Sequence, residues 1–337
     1  MALDAVSKDV SMPLPSEGNA GGLARPLLLT PGQDLKGYML GHLGRAVLLA
    51  ITCVSVVAVL LMFVFIIGKA RHFFIVSDVV GSLSRVREFL TSTQWYPEAE
   101  HAEFGALALI VGSFYVTTVA LVLAVPVGLL AAMFLSDIAP FGVRSFFKPV
   151  IEMLAAIPSV AYGFFAVLVV APWLQDTFGF ATGVNVWNAG LLLAVMAVPT
   201  IISVAEDALS AVGRERREAS YGLGATRAET LLKVVMPAAR SGIVAAVLLG
   251  MMRAIGETMV VWMAAGMAGQ IPTPWWDLSQ SVRPITATIA QEMGETPQGS
   301  PHFYSLFALG LLLLLVTFVL NLVSEHFLSR VRGGGVR

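Results

Sequence analysis

The sequence predicts an all-α, polytopic membrane protein with six transmembrane helices, and three observations carry that prediction. Of 337 residues, 57% are hydrophobic and only 13% charged, at a mean hydropathy of +0.80, whereas soluble domains carry about 25% charged residues. Six apolar runs are long enough to cross the hydrocarbon core, which takes about 20 helical residues. Backbone groups in lipid must be satisfied within their own segment, so these runs are expected to be helices.

In chain order, residues 1–44 are rich in Pro, Gly and Ser and read as a largely disordered tail with no secretory cleavage pattern. A membrane domain follows over 45–328, and 329–337 form a short second tail. The six spans are Arg45–Ile67, Ala106–Leu135, Pro149–Ala171, Asn188–Ala211, Gly242–Met267 and Phe303–Leu328. Pro126 and Pro158, inside the second and third, read as kinks. Ala70–Gly105 has room for a short helix or two, with Trp95, Tyr96 and Pro97 placed to anchor at the interface. Gly269–His302, carrying Trp275 and Trp276, is the other sizeable loop.

Orientation follows from the cations. Of the 21 Lys and Arg residues, fifteen fall on the side of the termini and five on the other (Lys69, Arg71, Arg85, Arg87, Arg283), with Arg253 inside a span. The positive-inside rule therefore puts both termini in the cytoplasm. A net charge of −1 argues neither for nor against nucleic acid, and no nucleic-acid partner is expected. The single cysteine, Cys53, excludes an internal disulfide framework. The five histidines are scattered without metal-ligand spacing, so no metal site is expected. No Gly-x4-Gly-Lys-Ser/Thr stretch is present to cradle ATP phosphates.

Between the fourth and fifth spans lies a charged island, 213–240, holding six Lys and Arg with Glu215, Glu218 and Glu229. Such a segment belongs in water. Its pattern predicts a helix over Glu215–Tyr221, a tight turn allowed by Gly222 and Gly224, and a second helix from Ala228 that Pro237 halts. Charge alone fits a solvated loop that merely orients the chain. The spacing Glu218-Ala219, Gly224, Val234-x-Met236-Pro237 instead resembles the EAA loop of bacterial ABC importer permeases, with Ser220, Val234 and Met236 in place of the usual Ala, Ile and Leu. That resemblance implies a docking surface for a separate ATPase, carried by Glu218, Ala219, Gly222, Gly224 and Pro237.

The fifth span adds Arg253, Glu257 and Thr258 in MMRAIGETMVV. Arg253 and Glu257 are four apart, which on one helix puts them on the same face. Charges at this depth cost about 2.5–3.5 kcal/mol on insertion scales, and they fit either a structural ion pair or a substrate path. The guanidinium suits an oxyanion. On the third span, Ser159 and Tyr162 are three apart and could offer hydroxyls to an anion or pack helix to helix. Glu206 and Asp207 read as solvated charges at a helix end.

RAIGET, the run Glu152 to Gly163, and the pattern Phe89, Trp95, Pro97, Phe104-Gly105 resemble the PstC family of phosphate ABC importer permeases, from about Phe89 to the C-terminus. The resemblance implies a type I ABC importer permease fold in the bacterial inner membrane, with Arg253 and Glu257 on the route of phosphate. It further implies a PstA-like permease partner, two copies of a PstB-like ATPase that uses ATP and Mg, and a PstS-like periplasmic phosphate-binding protein. No cofactor is implied for this chain. A PstA-type sister subunit, or a permease for molybdate or sulfate, stays open as an alternative. Ion-coupled transporters, channels and membrane sensors form the other class; the first two would need coupling charges in several spans.

Overall fold

The computed structural model describes residues 31–75 and 79–333, so the readings for 1–30 and 334–337 lie outside the described residues. The chain divides into two compact units, Met1–Phe63 and Val64–Arg337. Helix α1 (Pro31–Phe74) starts well before Arg45, because hydropathy marks where a helix is apolar and not where it begins. Within the first unit, Leu48, Val54 and Leu61 are exposed along it, as lipid-facing side chains are.

The second unit opens with α2 (Val79–Thr91) and two short antiparallel strands, β1 (Trp95–Tyr96) and β2 (Glu103–Phe104). Then come α3 (Leu107–Met133), extended by a wide turn at Phe134–Ile138, and α4 (Phe141–Ala156). Helix α5 (Ser159–Phe165) runs through a second wide turn, Ala166–Val170, into α6 (Ala171–Phe178), and α7 (Val186–Ser210) follows. Beyond it lie α8 (Arg214–Gly222), α9 (Arg227–Thr230), a third wide turn at Leu231–Val235, and α10 (Met236–Ile255). The unit ends with α11 (Met259–Ala264), α12 (Ile285–Glu292) and α13 (Pro301–Gly333).

Six helices among the described residues are long and apolar enough to cross a membrane: Gly41–Phe74, Leu107–Ile138, Ser159–Phe178, Val186–Ser210, Arg227–Ile255 and Pro301–Val323. Their number agrees with expectation, but three proline- or glycine-bearing positions behave differently. Pro158 breaks the third predicted span where a kink was expected, since Ile157 and Pro158 are both extended between α4 and α5. Proline removes a donor and pushes the residue before it out of the helical region. Pro237 does not halt its helix: it lies inside the continuous span Arg227–Ile255, as the second residue of α10 after the wide turn, which accommodates the missing N–H. The wide turn ahead of it shifts the ladder, so that the Met236 N–H donates to Leu231 O. The fifth predicted span stops at Ile255, with Gly256 as its cap, and resumes at Met259.

Helix α7 is the core of the unit, burying Leu192, Leu193, Met196, Ile201 and Leu209. Helices α3 and α10 pack against it at small residues, which lets backbones approach closely. Ile201 illustrates the fit: a Cβ on Gly128 of α3 would lie 2.7 Å from it, and one on Gly250 of α10 would lie 2.6 Å away.

Candidate functional site

The charged island folds as two short helices braced from within. Thr226 and Glu229 form a reciprocal capping box at the start of α9. The sharp turn between the helices falls on Gly224, whose φ of 84° favours glycine, whereas Gly222 is an ordinary last residue of α8. Ser220 and Thr230 are both buried and share a hydroxyl hydrogen bond of 2.9 Å, tying α8 to the end of α9. Serine at the position where the EAA pattern usually has alanine therefore has a partner. Glu218, Ala219, Gly222 and Gly224 are exposed together around this turn, with Pro237 exposed further along at the start of α10. Leu223, 90% exposed between the two glycines, belongs to the same surface, and sequence reasoning missed it.

Around the end of α10 the arrangement differs from an intrahelical pair. Glu257 lies beyond the helix end, where its carboxylate accepts from the backbone N–H groups of Met259 at 3.1 Å and Val260 at 3.4 Å, capping α11. Its carbonyl accepts from the Thr286 hydroxyl of α12 at 2.8 Å, and Thr258 O accepts from Trp262 N–H. Arg253 is exposed and, among the described residues, has no hydrogen-bond or ion-pair partner. The same-face pairing expected from the four-residue spacing is therefore absent, because the helix that would impose it ends two residues before Glu257.

Tyr162 of α5 lies within electrostatic reach of Arg253. Its hydroxyl donates to Leu154 O at 2.9 Å. That carbonyl would have bonded residue 158 in an unbroken helix; since Pro158 has no N–H, it accepts instead from the phenol and, at 3.4 Å, from the Ile157 N–H. Ser159, half-buried, begins α5 beside it. Helix α5 seats against α11 at Gly163, where a Cβ would lie 2.5 Å from Met263 Sδ. The structure thus leaves Tyr162 within electrostatic reach of Arg253 and places Glu257 and Thr258 in the break that follows α10.

Two ionic clusters, each centred on a carboxylate drawn in from solvent, brace the second unit. Near the island, Glu206 is 2% exposed and pairs with Arg144 and, at 3.0 Å, with Lys148, both from α4. It is not the solvated end charge expected, while its neighbour Asp207 is exposed. The hydrogen bond to Glu206 holds the Lys148 ammonium above its usual range. At the opposite end Glu292 gathers Arg283, His302 Nε2 at 2.8 Å, and Trp95 Nε1 at 3.0 and 3.2 Å. Trp95 is consequently 2% exposed within a box of Phe73, Phe89 and Phe104, and does not anchor at an interface. Gly105 completes the motif because a Cβ there would collide with the Ser92 backbone. Among the described residues no group of three His, Cys, Asp or Glu side chains is placed to hold a metal ion.

Residues 124–333 match the family described as binding-protein-dependent transport system inner membrane component. The chain is 36% identical over 287 residues to the probable ABC transporter permease protein YqgH of Bacillus subtilis (strain 168), covering 85% of this chain and 90% of that protein. It is also 36% identical over 262 residues to the phosphate transport system permease protein PstC of Mesorhizobium japonicum, covering 72% of this chain and 78% of that one. The fold is shared, at TM-score 0.55 and 15% identity over 87% of this chain and 99% of the other, with a chain of a bacterial ABC transporter involved in the import of the acidic polysaccharide alginate. Helix order, apolar spans and sequence agree, and the chain belongs to the binding-protein-dependent transport system inner membrane component family, as a multi-pass permease subunit of an ABC importer.

Proposed function

We propose that this permease subunit carries inorganic phosphate, and that Arg253 is the residue the anion meets. The observation that carries the reading is an exposed, unpartnered guanidinium at the end of a membrane helix, next to a backbone break. Guanidinium offers a fork of donors to phosphate oxygens. Because the Glu257 carboxylate is engaged by the N–H groups of Met259 and Val260, it leaves the Arg253 charge unneutralised. One such group lowers the barrier for a dianion without enclosing it, and conduction requires binding weak enough to release. Thr258 and Ser159 border the same route, and Tyr162, whose proton is engaged by Leu154 O, lines it as a wall. The similarity to PstC of Mesorhizobium japonicum, whose name states phosphate transport, supports the cargo.

The rest of the machine follows from this reading. The membrane domain over 45–328 pairs with a PstA-like permease, its exposed Glu218, Ala219, Gly222, Leu223 and Gly224 seat one of two PstB-like ATPase copies, and Pro237 starts the helix behind them. ATP and Mg are used by that partner. A PstS-like binding protein delivers phosphate at the opposite face, and both termini and the island lie in the cytoplasm. In vesicles holding the complete importer, Arg253→Gln is expected to cut uptake of radiolabelled phosphate at least tenfold while the ATPase still co-purifies. Normal uptake in that variant would remove Arg253 from the path. Gly224→Trp is expected to abolish ATPase stimulation by the phosphate-loaded binding protein.

A further inference from the structure

We propose that Arg217 is the positioning residue that ties the docking helix α8 to two membrane helices, so that movement of α8 reaches α3 as well as α7. The proposal rests on the reading that α8 seats the ATPase. Arg217 sits one turn before the buried Ser220, on the side of α8 turned towards the bundle. One guanidinium serves three acceptors: it pairs with Asp137 in the turn that ends α3, donates from Nη2 to Leu209 O at 2.7 Å, and donates from Nε to Val212 O at 3.3 Å. Leu209 O belongs to the last turn of α7 and Val212 O to the link that follows it, where the helical ladder runs out of donors. A cation there both caps the helix and complements its dipole.

Connectivity gives the pair its importance. Helix α8 is joined by the chain to α7 through residues 211–213, and to α10 through α9, whereas α3 has no such link close to it. Among the described residues, the Arg217 to Asp137 pair is the ionic tie between α3 and α8. Both side chains are largely buried, at 17% and 11% exposure. Asp137 Oδ2 is buried with no hydrogen-bond partner among the described residues, so the carboxylate relies on Arg217 for its counter-charge. Removing the guanidinium strands that carboxylate. Lysine would keep the charge but could not reach three acceptors from one planar fork.

The test uses the full importer in vesicles and reads phosphate imported per ATP hydrolysed, together with the amount of assembled complex. Arg217→Gln is expected to assemble and hydrolyse ATP but to lose about tenfold in phosphate per ATP. Arg217→Lys is expected to fall between that and the native ratio. A native ratio in Arg217→Gln overturns the proposal. Should Arg217→Gln fail to assemble, Arg217→Lys decides, since a native ratio there overturns it equally and a reduced one supports it. Gly224→Trp separates this from the docking reading: coupled ATPase surviving that change sinks the docking assignment, whereas its loss beside a native Arg217→Gln ratio sinks the Arg217 role alone.

Discussion

Arg253 and Arg283 carry the same guanidinium in opposite circumstances. Arg283 is 16% exposed and paired with Glu292, which also holds His302 and Trp95. Arg253 is exposed at the end of α10 and, among the described residues, has no side-chain partner. A buried charge surrounded by partners holds elements together, and removing one partner strands the others. Among the described residues no acceptor engages the Arg253 fork, so on the proposed reading it is free for an anion that arrives. The difference teaches that the number of engaged donors separates a cation that braces the fold from one left free to meet a ligand.

The largest effect that would sharpen this contrast is on stability. Glu292→Ala is expected to cost about 3–5 kcal/mol, because it strands Arg283, whereas Arg253→Ala is expected to stay within about 0.5 kcal/mol. Thermal unfolding of the purified chain in detergent measures both, and equal losses would dissolve the distinction. A smaller effect tests it at a hydroxyl: Tyr162→Phe leaves Leu154 O with only the longer, 3.4 Å bond from the Ile157 N–H and is expected to cost about 1 kcal/mol, with the phosphate concentration for half-maximal uptake unchanged. A shift in that concentration would make Tyr162 a ligand as well as a brace.

The smallest effect concerns pH. The Asp277 carboxylate is held below its usual range, first by the Ser279 hydroxyl and then by Gln280. A depressed folded value means that its contribution is complete above the ordinary carboxylate range and is lost only as pH falls through the folded value. Fluorescence of the neighbouring Trp275 and Trp276 should therefore hold steady around neutrality and change only in strong acid. A transition near neutral pH would show that another group governs the loop.

Much of this fold was legible because lipid imposes long apolar runs, and Gly224 was legible because few residues other than glycine tolerate its φ. The interruptions were harder. Nothing in the hydropathy of MMRAIGETMVV separates a continuous helix from one that ends at Ile255, since the break is stabilised by Thr286, far along the chain. Trp95 and Glu206 were misplaced for a related reason: each looks amphipathic or charged by itself and is buried only because Glu292, or Arg144 and Lys148, comes to meet it. Asp137 and Arg217, eighty residues apart, carried no local signal at all.

The hydroxyl bond between Ser220 and Thr230 bears on transplanting this segment between permeases. A graft that restores the commoner alanine at position 220, while keeping threonine at 230, would leave a hydroxyl enclosed without its mate. The two positions are best exchanged as a couple, and chimaeras that split them should express less well than chimaeras whose junctions fall outside residues 213–240.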